Sequence, residues 1–205
     1  MSNENIIVKY NFYKEYNSLL LNTILSNRMN YISEKYFNNM KSENLLINNF
    51  VGIFSWSIFP FDLLKEIEEI LIKNKITTLL DLSCGNAFHM FLFQNFTKIK
   101  TYAIDIQDED NSWCKIIVED GRNYISNIND FTEIGLFLSW IDYDELALEL
   151  LQKYKGKLVI SVGNYELKSK KYLNYLHKNY KLIKRFILQM PWDRTEKVEI
   201  YTLNP

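Results

Sequence analysis

The chain has 205 residues, of which 47% are hydrophobic and 24% charged, with a formal net charge of -1 at neutral pH. That length suits one α/β domain with a substantial core and is short for two domains and a linker; the composition excludes a disordered chain, and the charge gives no global attraction to nucleic acid. The longest apolar runs, 134–140 and 158–162, fall far below the roughly 20 residues a membrane-spanning helix needs.

The first five residues are polar and acidic, without the basic start and apolar run of a secretory signal, so a cytoplasmic location is expected. From residue 11 to about 49, apolar residues recur at helical spacing, as at Tyr16, Leu19, Leu20 and Ile24. This predicts two or three short helices, a helical N-terminal cap over 1–50 before a core over 51–205, both in a single domain. Residues 61–72 form a stronger amphipathic helix, begun by Pro60 and closed by Lys73 and Asn74.

Beyond that helix, short β-rich apolar runs at 77–82, 100–104, 115–118, 135–140 and 157–162 alternate with helical segments at 87–96, 122–128, 143–154 and 167–179. Such alternation predicts a parallel α/β sheet. Two further strands, 182–189 and 198–203, are separated by too few residues for a parallel crossover and should pair antiparallel.

The most informative stretch, 76–94, reads ITTLLDLSCGNAFHMFLFQ: a buried strand, a turn of small residues, then an apolar helix. Ligands of open α/β sheets bind at the carboxyl ends of the strands where strand order reverses. Ser83, Gly85 and Ala87 let the backbone approach such a ligand closely, and open amides at the following helix start add donors. Twenty residues after Gly85 the second strand ends in Asp105, a carboxylate placed to accept two ribose hydroxyls.

This segment resembles the first motif of the class I, Rossmann-like S-adenosylmethionine-dependent methyltransferases, an apolar strand ending in an acid followed by Gly-x-Gly-x-Gly. Asp81 takes the acidic position and Gly85 the central glycine, while Ser83 and Ala87 replace the outer two with the least bulky substitutes. The resemblance implies S-adenosylmethionine as cofactor, Asp105 on its ribose, and Asp120 on the adenine amino group with Glu119 as its rival. It also implies a mostly parallel sheet with an antiparallel C-terminal strand. A looser similarity over 54–203, carried by FSWSIFP at 54–60 and SWIDY at 139–143, joins the chain to an uncharacterised methyltransferase-like group.

In such folds the end of the fourth strand faces the sulfonium methyl, which makes Ser139, Trp140, Asp142 and Tyr143 the first candidates for acceptor contacts. The Asn/Asp-Pro-Pro-aromatic motif of amino-methylating relatives is absent there. Trp56 and Trp140 are either an aromatic wall around the acceptor, completed by Tyr143, or simply core. Should proton removal be needed, Asp142 beside Trp140 and Tyr143 is the first choice of base. Residues 191–194, Pro-Trp-Asp-Arg, form either a loop at the pocket mouth or a hairpin turn with an anchoring Trp.

Three functions follow. The first is methyl transfer to a small molecule or protein side chain. The second is methylation of RNA or a cap nucleotide, which uses the basic segment from Lys168 to Arg185 with Tyr172, Tyr175 and Tyr180 interleaved. The third is a noncatalytic interaction module on the same fold. Two histidines, His89 and His177, and two cysteines, Cys84 and Cys114, give no metal site and no disulfide framework. Oligomeric state is left open.

Overall fold

In the computed structural model, α1 (Phe61–Lys73) turns Leu63, Leu64, Ile67 and Leu71 inward, the spacing of one helical face. Glu68 on that face is also buried, and it fastens α1 to the chain beyond the next helix: one carboxylate oxygen accepts from Lys65 Nζ at 2.9 Å, the other from the Lys98 N–H at 2.6 Å. The structure describes residues 54–57, 59, 61–108, 112–141, 144–164, 168–189 and 195–205. The expected cap over 1–50, Pro60, Asp142, Tyr143 and the 191–194 loop lie outside the described residues.

The alternating segment folds as β1 (Thr78–Asp81), α2 (Phe88–Phe96), β2 (Lys100–Asp105), β3 (Ile116–Val118), α3 (Gly121–Ser126), β4 (Ile134–Ser139), α4 (Asp144–Lys153), β5 (Leu158–Gly163) and α5 (Lys170–Asn179). β6 (Tyr180–Gln189) and β7 (Thr195–Leu203) complete a seven-stranded sheet of order β3-β2-β1-β4-β5-β7-β6. The first five strands are parallel; β7 runs antiparallel to both β5 and β6.

Most boundaries fall within a residue or two of the sequence reading. α5 starts later than expected because Ser169 caps it, accepting the Tyr172 N–H at 3.1 Å. β7 starts earlier, at Thr195, because it carries charge into the sheet: Glu196 and Glu199 are both buried. Arg185 Nε donates to Glu199 across the β6–β7 pair at 2.7 Å, an ion pair that a hydrophobicity pattern cannot register.

Both faces of the sheet are covered, which is why β4 and β5 are apolar almost throughout. Ile67, Leu71, Phe93, Phe137, Ile160 and Ile200 meet on one side, and Leu80, Leu136, Leu151, Val159 and Tyr201 on the other. Strand order runs outward in opposite senses from β1 and β4, so a crevice opens at their carboxyl ends.

Candidate cofactor and acceptor site

β1 delivers Asp81 to that crevice almost wholly enclosed, at 3% exposure. One carboxylate oxygen accepts the Ser83 N–H at 3.3 Å. Burial, reinforced by the neighbouring charge of Asp105, pushes the Asp81 carboxyl up to about 8.

The turn after β1 depends on two left-handed residues, Gly85 at φ 54° and Ala87 at φ 60°. The Ala87 N–H donates to the Cys84 carbonyl at 2.9 Å, and Phe88 N–H to Asn86 Oδ1 at 3.1 Å, which opens α2. Gly85 N–H donates to Asp105 Oδ2 at 2.8 Å, while Asp105 Oδ1 accepts the Ile106 N–H at 2.8 Å. The expected ribose acid is thus held against the turn by backbone donors. No atom lies within 4 Å of the position a Cβ on Gly85 would take, so that side of the turn is open. Ile106, which follows Asp105 in the chain, is 71% exposed, an apolar surface that sequence reasoning missed.

Asp120 sits farther out, past the end of β3, where it caps α3. Its carboxylate accepts from Arg122 N–H at 2.8 Å and from Arg122 Nη2 at 2.6 Å, and those bonds hold it below the usual carboxylate range. Glu119, half-buried, donates its backbone N–H to the Asp105 carbonyl at 2.9 Å. The turn residues and Asp105 are therefore gathered together, while the carboxylate of Asp120 is engaged with its own helix.

The other half of the crevice is built by residues 54–57, Phe59 and the end of β4. Trp56 and Trp140 lie with ring centroids 5.4 Å apart, a contact that an aromatic wall and a packed core would both make. Trp140 Nε1 donates to Ser57 Oγ at 2.8 Å, and Trp140 itself holds a φ of 48°, a strained conformation for a bulky side chain. The Ser57 carbonyl lies 2.7 Å from His89 Nε2; a carbonyl only accepts, so that nitrogen carries the proton. Burial among Phe59, Phe88 and Phe137 drives His89 down to about 4 and keeps it neutral. Asn86 Nδ2 donates to the Phe54 carbonyl at 3.0 Å, joining this segment to the turn. Ser139 closes β4 half-buried beside Trp140.

Ser57, His89 and Asn86 went unassigned in the sequence. The one signal available was His89 itself, a lone polar residue in an apolar helix (FHMFLF). On the α4/α5 side, Lys168, also read only as part of a basic run, projects into a recess with Trp140 and Tyr172. Tyr172 and Tyr180 are buried, and Lys184 and Arg185 pair with Glu66 and Glu199. Among the described residues no group of three or more His, Cys, Asp or Glu is arranged to hold a metal, and no helix is long and apolar enough to cross a membrane.

No protein-family model and no curated protein matches the chain. Solved structures do match. A SAM-dependent methyltransferase from Archaeoglobus fulgidus, 15% identical, aligns with a TM-score of 0.50 over 78% of this chain and 100% of its own. TrmN from Thermus thermophilus, 12% identical, aligns with a TM-score of 0.51 over 78% of this chain and 53% of its own. The sheet order, the antiparallel β7 and these alignments agree: the chain is built on the Rossmann-like methyltransferase fold.

Proposed function

We propose that the protein is an S-adenosylmethionine-dependent methyltransferase acting on a small molecule or a protein side chain. The observation that carries this reading is the turn after β1: two left-handed residues, an open face at Gly85, and the Asp105 carboxylate fixed beside it. These residues fit the cofactor. Asp105 keeps acceptor capacity for ribose hydroxyls, and Gly85 leaves room for close backbone approach. Asp81 offers a carboxyl that a cationic ligand end would drive toward its charged form. Ala87 already has the backbone a glycine would have, so its replacement of the motif glycine does not by itself favour a noncatalytic module. The adenine amino group falls to Asp120, which would share its oxygens with Arg122, or to Glu119.

The bound cofactor supplies an activated methyl on a sulfonium, so the protein's task is binding, orientation and exclusion of water. Trp56 and Trp140 wall the crevice beside the end of β4, where the methyl group would point. Ser57 and His89 hold that wall in place. For acceptors that must lose a proton, Asp142 with Tyr143 is the proposed base. The RNA reading loses two of its three tyrosines, since Tyr172 and Tyr180 face the core and are not available for base stacking, while Tyr175 remains half-buried.

Calorimetric titration with S-adenosylmethionine tests the proposal. Asp105→Ala should weaken binding by about 1.5 to 3 kcal/mol, the worth of hydrogen bonds to a charged group, in a protein that still folds. A wild-type chain that fails to bind the cofactor at millimolar concentration would transfer the assignment to an interaction module.

A further inference from the structure

The recess on the α4/α5 side lies at the carboxyl ends of β4 and β5, next to the proposed methyl-transfer position. Leu138, Trp140, Ile141, Ala147 and Val162 give it apolar walls. Its one polar pole is Lys168. The ammonium donates to Ser161 Oγ, which lies 3.0 Å from the Tyr172 hydroxyl, and it stands 5.9 Å from the Tyr172 ring centroid. Among the described residues no carboxylate reaches Lys168 within salt-bridge distance. Glu199 acts on it from a distance but is already bonded to Arg185 at 2.7 Å and to the Tyr201 hydroxyl at 2.8 Å.

An ammonium enclosed by apolar walls, on which Glu199 and Glu196 act only from beyond salt-bridge distance, gains from a carboxylate that reaches it directly. We propose that this recess receives the carboxylate of a small, otherwise apolar acceptor molecule, with Lys168 as counter-ion and the Ser161 and Tyr172 hydroxyls supporting it. The inference names the acceptor class for the methyltransferase reading and rests on that reading for the reaction, though not for the binding. A single cation suits a monoanion. Glu199 and Glu196 oppose any entering anion, and a phosphate dianion about twice as strongly as a carboxylate.

The groups that act on Lys168 are Ser161 of β5, Tyr172 of α5, and Glu199, Glu196 and Lys197 of β7, with Arg185 of β6 on Glu199. Burial lowers the ammonium to about 8 against the pull of the two glutamates. Carboxylate binding is therefore strongest below that pH, fades as pH rises through it, and takes up protons near it.

Benzoate and its neutral isostere benzamide serve as probes, titrated calorimetrically into the full chain at about pH 7 and about pH 9.5. Benzoate should bind roughly tenfold or more tightly than benzamide at the lower pH, and this preference should vanish at the higher pH and in Lys168→Met. Equal binding of the two probes, binding of neither, or a preference that survives Lys168→Met would overturn the proposal. If Lys168→Met does not fold, the wild-type comparison across pH decides alone. A short single-stranded RNA that binds through Lys168 where benzoate does not would overturn it in favour of an RNA phosphate. Titration of the wild type with S-adenosylhomocysteine separates the two readings: lysine-dependent benzoate binding without cofactor binding leaves the recess standing and removes the methyltransferase.

Discussion

Ala87 is 1% exposed and left-handed, the backbone in which a Cβ is most crowded. An L-residue there costs about 1 to 2 kcal/mol, from which glycine's greater freedom in the unfolded chain subtracts part. Ala87→Gly should accordingly raise stability by about 0.5 to 1 kcal/mol, read as a higher denaturation midpoint. A lowered midpoint would mean that the Ala87 methyl is worth more in packing than its backbone costs. At this scale, Asp81, Gly85 and Asp105 were legible because a strand end and a turn announce themselves in residue type. Ser57 and His89 were not, because their partners are far away in the chain: Ser57 meets Trp140, and His89 meets the Ser57 carbonyl. Lys168 was not, because nothing in a run of lysines marks the one that folds inward beside Ser161.

Between elements, α3 is pressed against the end of β1 at one glycine. A Cβ on Gly121 would strike the Leu82 carbonyl and stand 2.8 Å from Leu82 Cβ, and a carbonyl of the main chain cannot swing aside as a side chain would. Gly121→Ala should cost about 1 to 3 kcal/mol, the range for forced overpacking, and should shift the β1 turn. Thermal melting together with cofactor affinity checks both effects; an unaltered melting temperature would show that the two elements part freely. The element pattern was legible from periodicity alone for β1, β2, β4 and β5, whose apolar runs are buried on one or both faces. It failed at the start of β7, where buried Glu196 and Glu199 disguise a strand as a polar loop.

Across the molecule, two buried groups set opposing pH dependences. Asp81 titrates at about 8 in the fold against 3.8 ordinarily, so the folded chain keeps a proton the unfolded one releases, and stability falls as pH rises from about 4 to about 8. His89 titrates at about 4 against 6.5, so stability falls as pH drops through that interval. The two oppose each other below about pH 6.5, and Asp81 acts alone from there to about pH 8. Asp81→Asn should remove the decline between those values, a slope of at most about 1.4 kcal/mol per pH unit, and leave the rise due to His89; denaturation at stepped pH measures both. The position of β7 between β5 and β6 has a consequence for biosynthesis. Both of its neighbours leave the ribosome before it does, so the nascent chain carries β5, apolar from Leu158 to Val162 but for Ser161, with one edge unpaired until Ser161 can meet Glu199. During that interval the emerging polypeptide presents a sticky edge, the kind of segment that holdase chaperones bind and that aggregates when synthesis outpaces their supply.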